Sequence, residues 1–194
     1  MSSVLSDRWH RVEGQTVDLA DFFAPGLILD IGGGGEGVIG RLFGSRVVAI
    51  DPLQRELEEA PAGPLKVMMD ARELKFLDGS FDTVTAFFSL LYIEAEHHEA
   101  VLREACRVLK PGGRFYIWDV VVPPEPLPGK DAFMVELEVR LPGRAFNTGY
   151  GVAWRGRSQD LAWFARLGER VGLRVEQKVQ SGSIFRIVLH KLAA

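Results

Sequence analysis

A run of glycines between two carboxylates is the first stretch of the sequence that could support chemistry. Residues 30–37 are Asp-Ile-Gly-Gly-Gly-Gly-Glu-Gly, in which Gly32, Gly34 and Gly37 fit the spacing G-x-G-x-x-G. Glycines permit the tight turn of a nucleotide-binding loop and let a ligand lie against the main chain. Alone, the pattern is weak evidence for a nucleotide.

A third carboxylate strengthens the case for a nucleoside ligand. Asp51 ends the next apolar run, 19 residues after Gly32. Nucleotide-binding folds place there an acid that accepts hydrogen bonds from ribose hydroxyls. A structural alternative is that Asp51, followed by Pro52, caps a helix. The glycine loop and the acid together favour the nucleoside.

The charge of the loop separates two classes of nucleoside cofactor. A dinucleotide places its pyrophosphate at a helix N-terminus, where Asp30 and Glu36 would repel it. A cofactor that carries an ammonium and a sulfonium group would instead be attracted. The electrostatics therefore favour S-adenosylmethionine. A nicotinamide-dependent oxidoreductase and a non-catalytic module that binds S-adenosylmethionine remain the alternatives.

The elements that must position these residues alternate between strands and helices. Five apolar runs predict strands, at residues 26–31, 46–50, 65–69, 81–87 and 114–122. Helical spacing of apolar residues predicts helices over 36–43, 54–60, 95–109 and 159–171. Two closing strands, 173–179 and 184–190, flank a short turn and must be antiparallel. The pattern predicts an α/β fold with a mostly parallel sheet covered on both faces.

An insertion is predicted after the fifth strand. A proline-rich break precedes two apolar runs, 133–141 and 145–154, which bracket Pro142-Gly143. We expect a hairpin or lid at about residues 123–157 within a single domain, residues 1–194. Its aromatic side chains could cap an acceptor pocket or form a dimer surface. The segment with Trp9 and His10 could cover the cofactor or latch onto the core.

Several strings in order resemble the class I S-adenosylmethionine-dependent methyltransferases of the small, Rossmann-like type. The resemblance covers about residues 27–122 and rests on five strings: residues 30–34, 47–52, 70–71, 81–92 and 107–113. It implies a three-layer sandwich around a mostly parallel seven-stranded sheet with an antiparallel C-terminal strand. The cofactor-binding residues that it implies are Asp30, Gly32, Gly33, Gly34, Asp51, Pro52, Asp70, Ala71 and Phe88.

The chain departs from the family pattern at Glu36, where the third glycine of the motif is usual. Its side chain could cap the following helix or face the amino group of the cofactor, and the cap is the favoured interpretation. The family's Asn/Asp-Pro-Pro-Tyr string is replaced by residues 87–89, Phe-Phe-Ser. We therefore expect a small-molecule methyl acceptor rather than a base in nucleic acid.

Three residues are candidates for acceptor contact: Tyr92, Asp119 and Tyr150. Tyr92 could equally be a packing residue, and Asp119 a buried strand carboxylate that needs a partner. No catalytic residue is assigned, because methyl transfer needs a base only when the acceptor arrives protonated. No metal is expected, since the adjacent His97 and His98 diverge on a helix and are expected to be solvated.

Composition limits the remaining partners and the compartment. The chain has 194 residues, with 23 Lys and Arg against 26 Asp and Glu, so the formal net charge is −3. Scattered basic residues argue against nucleic acid as a partner, and no apolar run is long enough to cross a membrane. Cys106, the only cysteine, cannot form an internal disulfide. We expect a cytoplasmic protein that is a monomer or homodimer.

Overall fold

The computed structural model describes residues 8–193. In chain order its strands and helices are β1 Trp9–Asp18, β2 Ile28–Ile31, α1 Val38–Phe43, β3 Val47–Asp51, α2 Gln54–Glu59, β4 Leu65–Met68, β5 Phe81–Phe87, α3 His98–Val108, β6 Leu109–Val120, β7 Ala132–Leu141, β8 Arg144–Ala153, α4 Leu161–Arg170, β9 Leu173–Ser181 and β10 Ile184–Lys191. Short 3₁₀ turns occupy Gly44–Arg46, Leu90–Tyr92 and Ala95–His97.

The main sheet has seven strands in the order β4-β3-β2-β5-β6-β10-β9. All neighbours are parallel except β10, which runs antiparallel to both β6 and β9. The predicted sheet and its antiparallel C-terminal strand are therefore confirmed. The strand bounds move by one to a few residues, most at β6. This strand starts at Leu109, which pairs with Phe81 of β5 before an irregularity at residues 110–113.

Both faces of the main sheet are buried, as continuous apolar strands require. On one face, α3 and α4 pack over side chains such as Leu29, Val84 and Ile117. On the other face, Ile28, Ala49 and the end of β6 face α1 together with the inner side of a second sheet. The three layers are as predicted, but one outer layer combines a helix with strands.

The second sheet has the order β1-β7-β8. β7 and β8 form an antiparallel hairpin in the segment where an inserted hairpin or lid was expected. Apolar residues alternate along β7, with Phe133, Val135 and Leu137 buried, so one side of the hairpin closes onto the core. The single-domain arrangement and a lid or dimer role for the hairpin stay predictions.

The sequence analysis missed β1, which pairs in parallel with β7 from Trp9 opposite Ala132 to Asp18 opposite Arg140. The ring of His10 lies 5.6 Å from that of Phe133 and packs inside this sheet. A Cβ on Gly151 of β8 would lie 2.6 Å from the ring of Trp9. Residues 9–18 therefore pack into the second sheet, as the latch alternative expected for Trp9 and His10.

His98 is a second correction, because it is fully buried rather than solvated. Its Nε2 lies 3.0 Å from the carbonyl oxygen of Leu90, and the indole N–H of Trp163 donates to its Nδ1 at 3.0 Å. Burial lowers the pKa of His98. The residue is buried because α3 packs against α4, which carries Trp163.

Candidate cofactor and acceptor site

A cavity of about 780 Å³ opens at the carboxyl ends of β2, β3, β4 and β5. This edge of an open parallel sheet is where such folds bind ligands, and the volume lies in the usual range for small-molecule sites. All nine residues predicted to bind the cofactor line this cavity: Asp30, Gly32, Gly33, Gly34, Asp51, Pro52, Asp70, Ala71 and Phe88.

The glycine loop is pressed against the main sheet. The N–H groups of Gly32 and Gly33 donate to the carbonyl of Ile50 at 2.9 and 3.0 Å. Gly32 has a φ of 71°, and a Cβ there would overlap the side chain of Ser89. The glycine at position 32 is thus required by the protein's own packing, which brings the loop backbone to the floor of the cavity.

Asp30 lies beneath this loop and is almost fully buried. Its Oδ1 accepts a hydrogen bond from the hydroxyl of Thr85 at 2.7 Å. Burial raises the pKa of Asp30 to about 7, against the smaller opposite effect of the Thr85 hydrogen bond. Asp30 therefore supports the loop and contributes a carboxyl group to the cavity lining.

Asp51 closes the end of β3. Its Oδ1 accepts the N–H of Leu53 at 2.9 Å, while α2 begins at Gln54 with Leu53 as N-cap and no side-chain cap. The helix-cap alternative for Asp51 is therefore wrong. Burial raises the pKa of its carboxyl group, and hydrogen bonds from Leu53 and Gly34 oppose that effect.

Asp70 already has a partner in the protein. The guanidinium of Arg72 contacts both carboxylate oxygens, with Nε at 3.0 Å from each and Nη2 at 2.6 Å from Oδ2. These hydrogen bonds lower the pKa of Asp70. The neighbouring Ala71 is buried and also lines the cavity. Asp51, in contrast, has no cation among its partners in the described residues.

Glu36 does not cap α1, so the favoured interpretation of this residue is wrong. The N-cap is Gly37, with no side-chain cap and no acid in the first helical turn. The side chain of Glu36 instead lines the cavity and accepts a hydrogen bond from the hydroxyl of Thr148 on β8. It thereby links the glycine loop to the second sheet.

Phe88 follows β5 with a strained backbone. Its φ is 48°, a left-handed conformation that bulky residues rarely adopt and that concentrates at functional sites. The ring is buried and stacks on Tyr150 of β8, with centroids 5.3 Å apart and an interplanar angle of 11°. The stack joins the main sheet to the hairpin at the cavity.

Two of the three acceptor candidates line the cavity, Tyr92 and Tyr150. The hydroxyl of Tyr92 accepts a hydrogen bond from the N–H of Gly151 at 3.3 Å. Removal of this hydroxyl from water raises the pKa of Tyr92 to about 12, while the residue as a whole stays 46% exposed. Burial also raises the pKa of Tyr150, and the nearby charge of Glu36 adds to the effect.

Asp119 lies outside the cavity lining. Its fully buried carboxylate accepts from the Gln159 amide at 2.7 Å and from the backbone N–H groups of Val120 and Leu91 at 2.8 and 3.2 Å. Burial raises the pKa of Asp119 to about 7. The structure places it behind the turn that carries Tyr92, not with the other candidates.

Sequence reasoning missed Glu56, Thr148 and Arg157. Glu56 and Arg157 line the cavity, and Thr148 binds Glu36. Glu56 comes five residues after Asp51, in the first turn of α2, which was a usable signal. Thr148 and Arg157 stand in no motif, because they reach the site only through the folding of the hairpin and the segment after it.

The cavity has two walls of different chemistry. We call the cofactor wall eight of the nine residues predicted to bind the cofactor: Asp30, Gly32, Gly33, Gly34, Asp51, Pro52, Asp70 and Ala71. The ninth, Phe88, is grouped with the other aromatic side chains of the lining because its ring stacks on Tyr150. We call the acceptor wall the set Phe87, Phe88, Tyr92, Ile93, Tyr150 and Arg157. The whole lining is acidic, with carboxyl groups from Asp30, Glu36, Asp51, Glu56, Asp70 and Glu94 against the guanidinium groups of Arg72 and Arg157. This excess suits a ligand with ammonium and sulfonium groups.

No helix among residues 8–193 is long and apolar enough to span a membrane.

Comparisons with known proteins agree with this geometry. A family model described as a methyltransferase domain matches residues 29–117. The chain is 36% identical over 146 residues to the ubiquinone/menaquinone biosynthesis C-methyltransferase UbiE of Ectopseudomonas mendocina. It is 33% identical over 148 residues to the protein of the same name from Pseudomonas fluorescens. Each match covers 67% of this chain and 56% of the relative, so the chain spans about half the length of these relatives.

Solved structures share the fold at low sequence identity. The PH0226 protein of Pyrococcus horikoshii superposes with a TM-score of 0.63 at 18% identity, covering 87% of this chain and 84% of that one. A S-adenosylmethionine-dependent methyltransferase of Methanosarcina mazei gives 0.60 at 17% identity, covering 90% and 96%. Residues 29–117 therefore match a methyltransferase domain, and the chain shares its fold with a S-adenosylmethionine-dependent methyltransferase of known structure.

Proposed function

We propose that this protein transfers a methyl group from S-adenosylmethionine to a small-molecule acceptor. The observation that carries the proposal is the convergence of all nine predicted cofactor residues on one acidic cavity, beside a wall of aromatic side chains. The two walls give separate surfaces for a polar, cationic cofactor and for a flatter, more apolar acceptor.

The cofactor wall binds S-adenosylmethionine through its carboxylates and its backbone groups. Asp51, which has no cation partner among the described residues, accepts hydrogen bonds from the ribose hydroxyls. Asp70 and Ala71 lie at the next strand end, where the adenine is held, and the glycine loop offers its backbone to the methionine end. The bound cofactor supplies an electrophilic methyl group on a sulfonium. Positioning and the acidic surroundings of that charge are the protein's main contribution.

The acceptor wall orients the second substrate. Phe87, Phe88, Tyr92 and Tyr150 give this side of the cavity an aromatic lining, which suits a small organic molecule. The UbiE relatives are, by their names, C-methyltransferases of ubiquinone and menaquinone biosynthesis. A quinol-like ring is therefore a reasonable first acceptor to assay. Acceptor contact by Tyr92 and Tyr150 is part of the proposal, and a cytoplasmic location and a monomeric or dimeric state stay predictions.

The experiment combines binding and turnover. Calorimetry should show that S-adenosylhomocysteine binds and that NAD does not, and methyl-labelled S-adenosylmethionine should label a naphthohydroquinone or a component of a metabolite extract. Binding of NAD without binding of S-adenosylhomocysteine would contradict the proposal in favour of an oxidoreductase. Tight binding of S-adenosylhomocysteine with no labelled product would favour a non-catalytic binding module.

A further inference from the structure

Arg157 is the one member of the acceptor wall with a positive charge. It reaches the cavity from the segment between β8 and α4, with its side chain 20% exposed. The rest of that wall is aromatic or aliphatic. A guanidinium at the edge of an aromatic surface is a recognition element for a flat ligand that carries an anionic oxygen.

Only some of the N–H groups of the Arg157 guanidinium have a hydrogen-bond partner in the protein. Nη1 donates to the carbonyl oxygen of Tyr92, and Nη2 lies 4.0 Å from a carboxylate oxygen of Glu94, a side chain that is 51% exposed. Nε is buried and has no hydrogen-bond partner among the described residues. Nη1 and Nη2 carry the other four of the five N–H donors and have one contact each, so Arg157 retains donors for a ligand on these two nitrogens.

Arg72, the other arginine of the lining, differs in this respect. Three hydrogen bonds of 2.6 to 3.0 Å engage it with both carboxylate oxygens of Asp70. Its charge is therefore neutralised within the protein. Among the described residues that line the cavity, Arg157 is the arginine that is not held by both oxygens of a carboxylate.

The aromatic surface beside Arg157 is fixed in place. The carbonyl that Arg157 contacts belongs to Tyr92, whose hydroxyl is held by the N–H of Gly151. Phe88 and Tyr150 form the parallel stack described above. A rigid ring surface with a cation at its edge fits a flat acceptor in one orientation, because the ring and the oxygen are bound at the same time.

We propose that the acceptor wall binds a flat aromatic acceptor through an ionised ring oxygen, a phenolate or enolate, paired with Arg157. The inference rests on the proposed function and specifies its acceptor class. The carboxylates of Glu36 and Glu94 would by themselves disfavour an anion in this cavity. Arg157 reverses that preference locally, and the ionised oxygen makes the ring a better nucleophile.

The test uses 4-nitrophenol, whose phenolate absorbs differently from its phenol, as the probe in the presence of saturating S-adenosylhomocysteine. In the wild-type complex the ionisation midpoint of bound 4-nitrophenol should lie at least about one pH unit below that of the free compound. Arg157→Gln should move the midpoint to the free value or above it, because the remaining nearby charges are negative. Arg157→Lys should keep most of the shift.

Arg155→Gln is the matched control, since Arg155 is an exposed arginine two residues away that does not line the cavity, and it should behave as the wild type. The affinity for S-adenosylhomocysteine should change by less than about twofold in all three variants. Failure of 4-nitrophenol to bind, or the same midpoint in wild type and Arg157→Gln, would overturn the inference. A tenfold or larger loss of S-adenosylhomocysteine affinity in Arg157→Gln would also overturn it, by assigning Arg157 to the cofactor's carboxylate.

The proposed function is tested separately in the same experiment. If wild-type protein does not bind S-adenosylhomocysteine, the proposed function fails. If wild-type protein binds S-adenosylhomocysteine but the ionisation midpoint of 4-nitrophenol is the same in wild type and Arg157→Gln, only the assignment of the acceptor class fails.

Discussion

The two walls of the cavity are built in different ways. The cofactor wall consists of residues at the carboxyl ends of β2, β3 and β4, each within or next to the strand that positions it. The acceptor wall joins the end of β5 to Tyr150 of β8 and to Arg157, which lie more than 60 residues further along the chain. One wall is made by local motifs, and the other by long-range pairing.

The two walls also differ in the chemical groups that they offer to a ligand. The cofactor wall offers carboxylates and main chain, which suit a cofactor common to a whole family. The acceptor wall offers rings and one guanidinium, which suit one class of acceptor. Binding of the cofactor and choice of the acceptor can therefore change independently, except where Glu36 contacts Thr148 and Phe88 contacts Tyr150.

The largest expected effect is on the cofactor wall. Gly32→Ala adds a Cβ that overlaps Ser89 and strains a φ of 71°. We expect a loss of about 3 kcal/mol in the free energy of unfolding, together with loss of S-adenosylhomocysteine binding. Urea denaturation and calorimetry measure the two effects.

Gly143→Ala is the control for that substitution. Gly143, in the turn between β7 and β8, has the same φ of 71°, but a Cβ there would meet nothing within 4 Å. It should cost only about 1 kcal/mol of backbone strain and leave cofactor affinity unchanged. Equal losses from the two substitutions would show that crowding by the loop's neighbours is unimportant.

The next largest effect is expected at Asp51, the carboxylate of the cofactor wall that has no cation partner among the described residues. Asp51→Ala should weaken binding of S-adenosylhomocysteine by about 1 to 3 kcal/mol, because the ribose hydroxyls lose a charged acceptor. Asp21→Ala, at an exposed aspartate outside the cavity, should leave the affinity unchanged. Unchanged affinity in Asp51→Ala would remove Asp51 from the cofactor wall and leave it a turn residue.

A smaller effect is expected at the stack that joins the walls. A double-mutant cycle with Phe88→Leu and Tyr150→Leu should give a coupling energy of about 1 kcal/mol in the free energy of unfolding. A cycle of Tyr150→Leu with Phe43→Leu should give none, since those two rings are not in contact. Zero coupling between Phe88 and Tyr150 would mean that the hairpin does not support the acceptor wall.

The smallest effect is expected at Thr148. Thr148→Val removes the hydrogen bond to Glu36 and should lower the free energy of unfolding by about 0.5 kcal/mol. Affinity for S-adenosylhomocysteine, measured by calorimetry, should change by less than about twofold. A tenfold change in this affinity would show that the second sheet contributes to cofactor binding and that the two walls are not independent.

The same contrast explains what could be predicted from the sequence. Asp51 and the glycine loop were predicted because strand ends and turns leave local signals in residue type and spacing. β1 was missed because its parallel pairing with β7 joins residues more than 120 positions apart, and no local pattern encodes such a contact. Arg157 was missed for the same reason.

Two errors within the predicted region have a physical explanation. Glu36 was expected to cap α1, but the left-handed conformation of Gly37 starts the helix later and turns the Glu36 side chain toward β8. His98 was expected to be solvated because it begins a helix. The packing of α4 over that helix end buries it, and this depends on a contact 65 residues away.

A crystal structure of the complex with S-adenosylhomocysteine tests the division of the cavity most directly. We predict that the ribose hydroxyls lie within hydrogen-bond distance of Asp51, that the ligand follows the glycine loop, and that Arg157 and the Phe88–Tyr150 face remain free of the ligand's carboxylate. A ribose away from Asp51, or the ligand's carboxylate on Arg157, would contradict the assignment of the two walls.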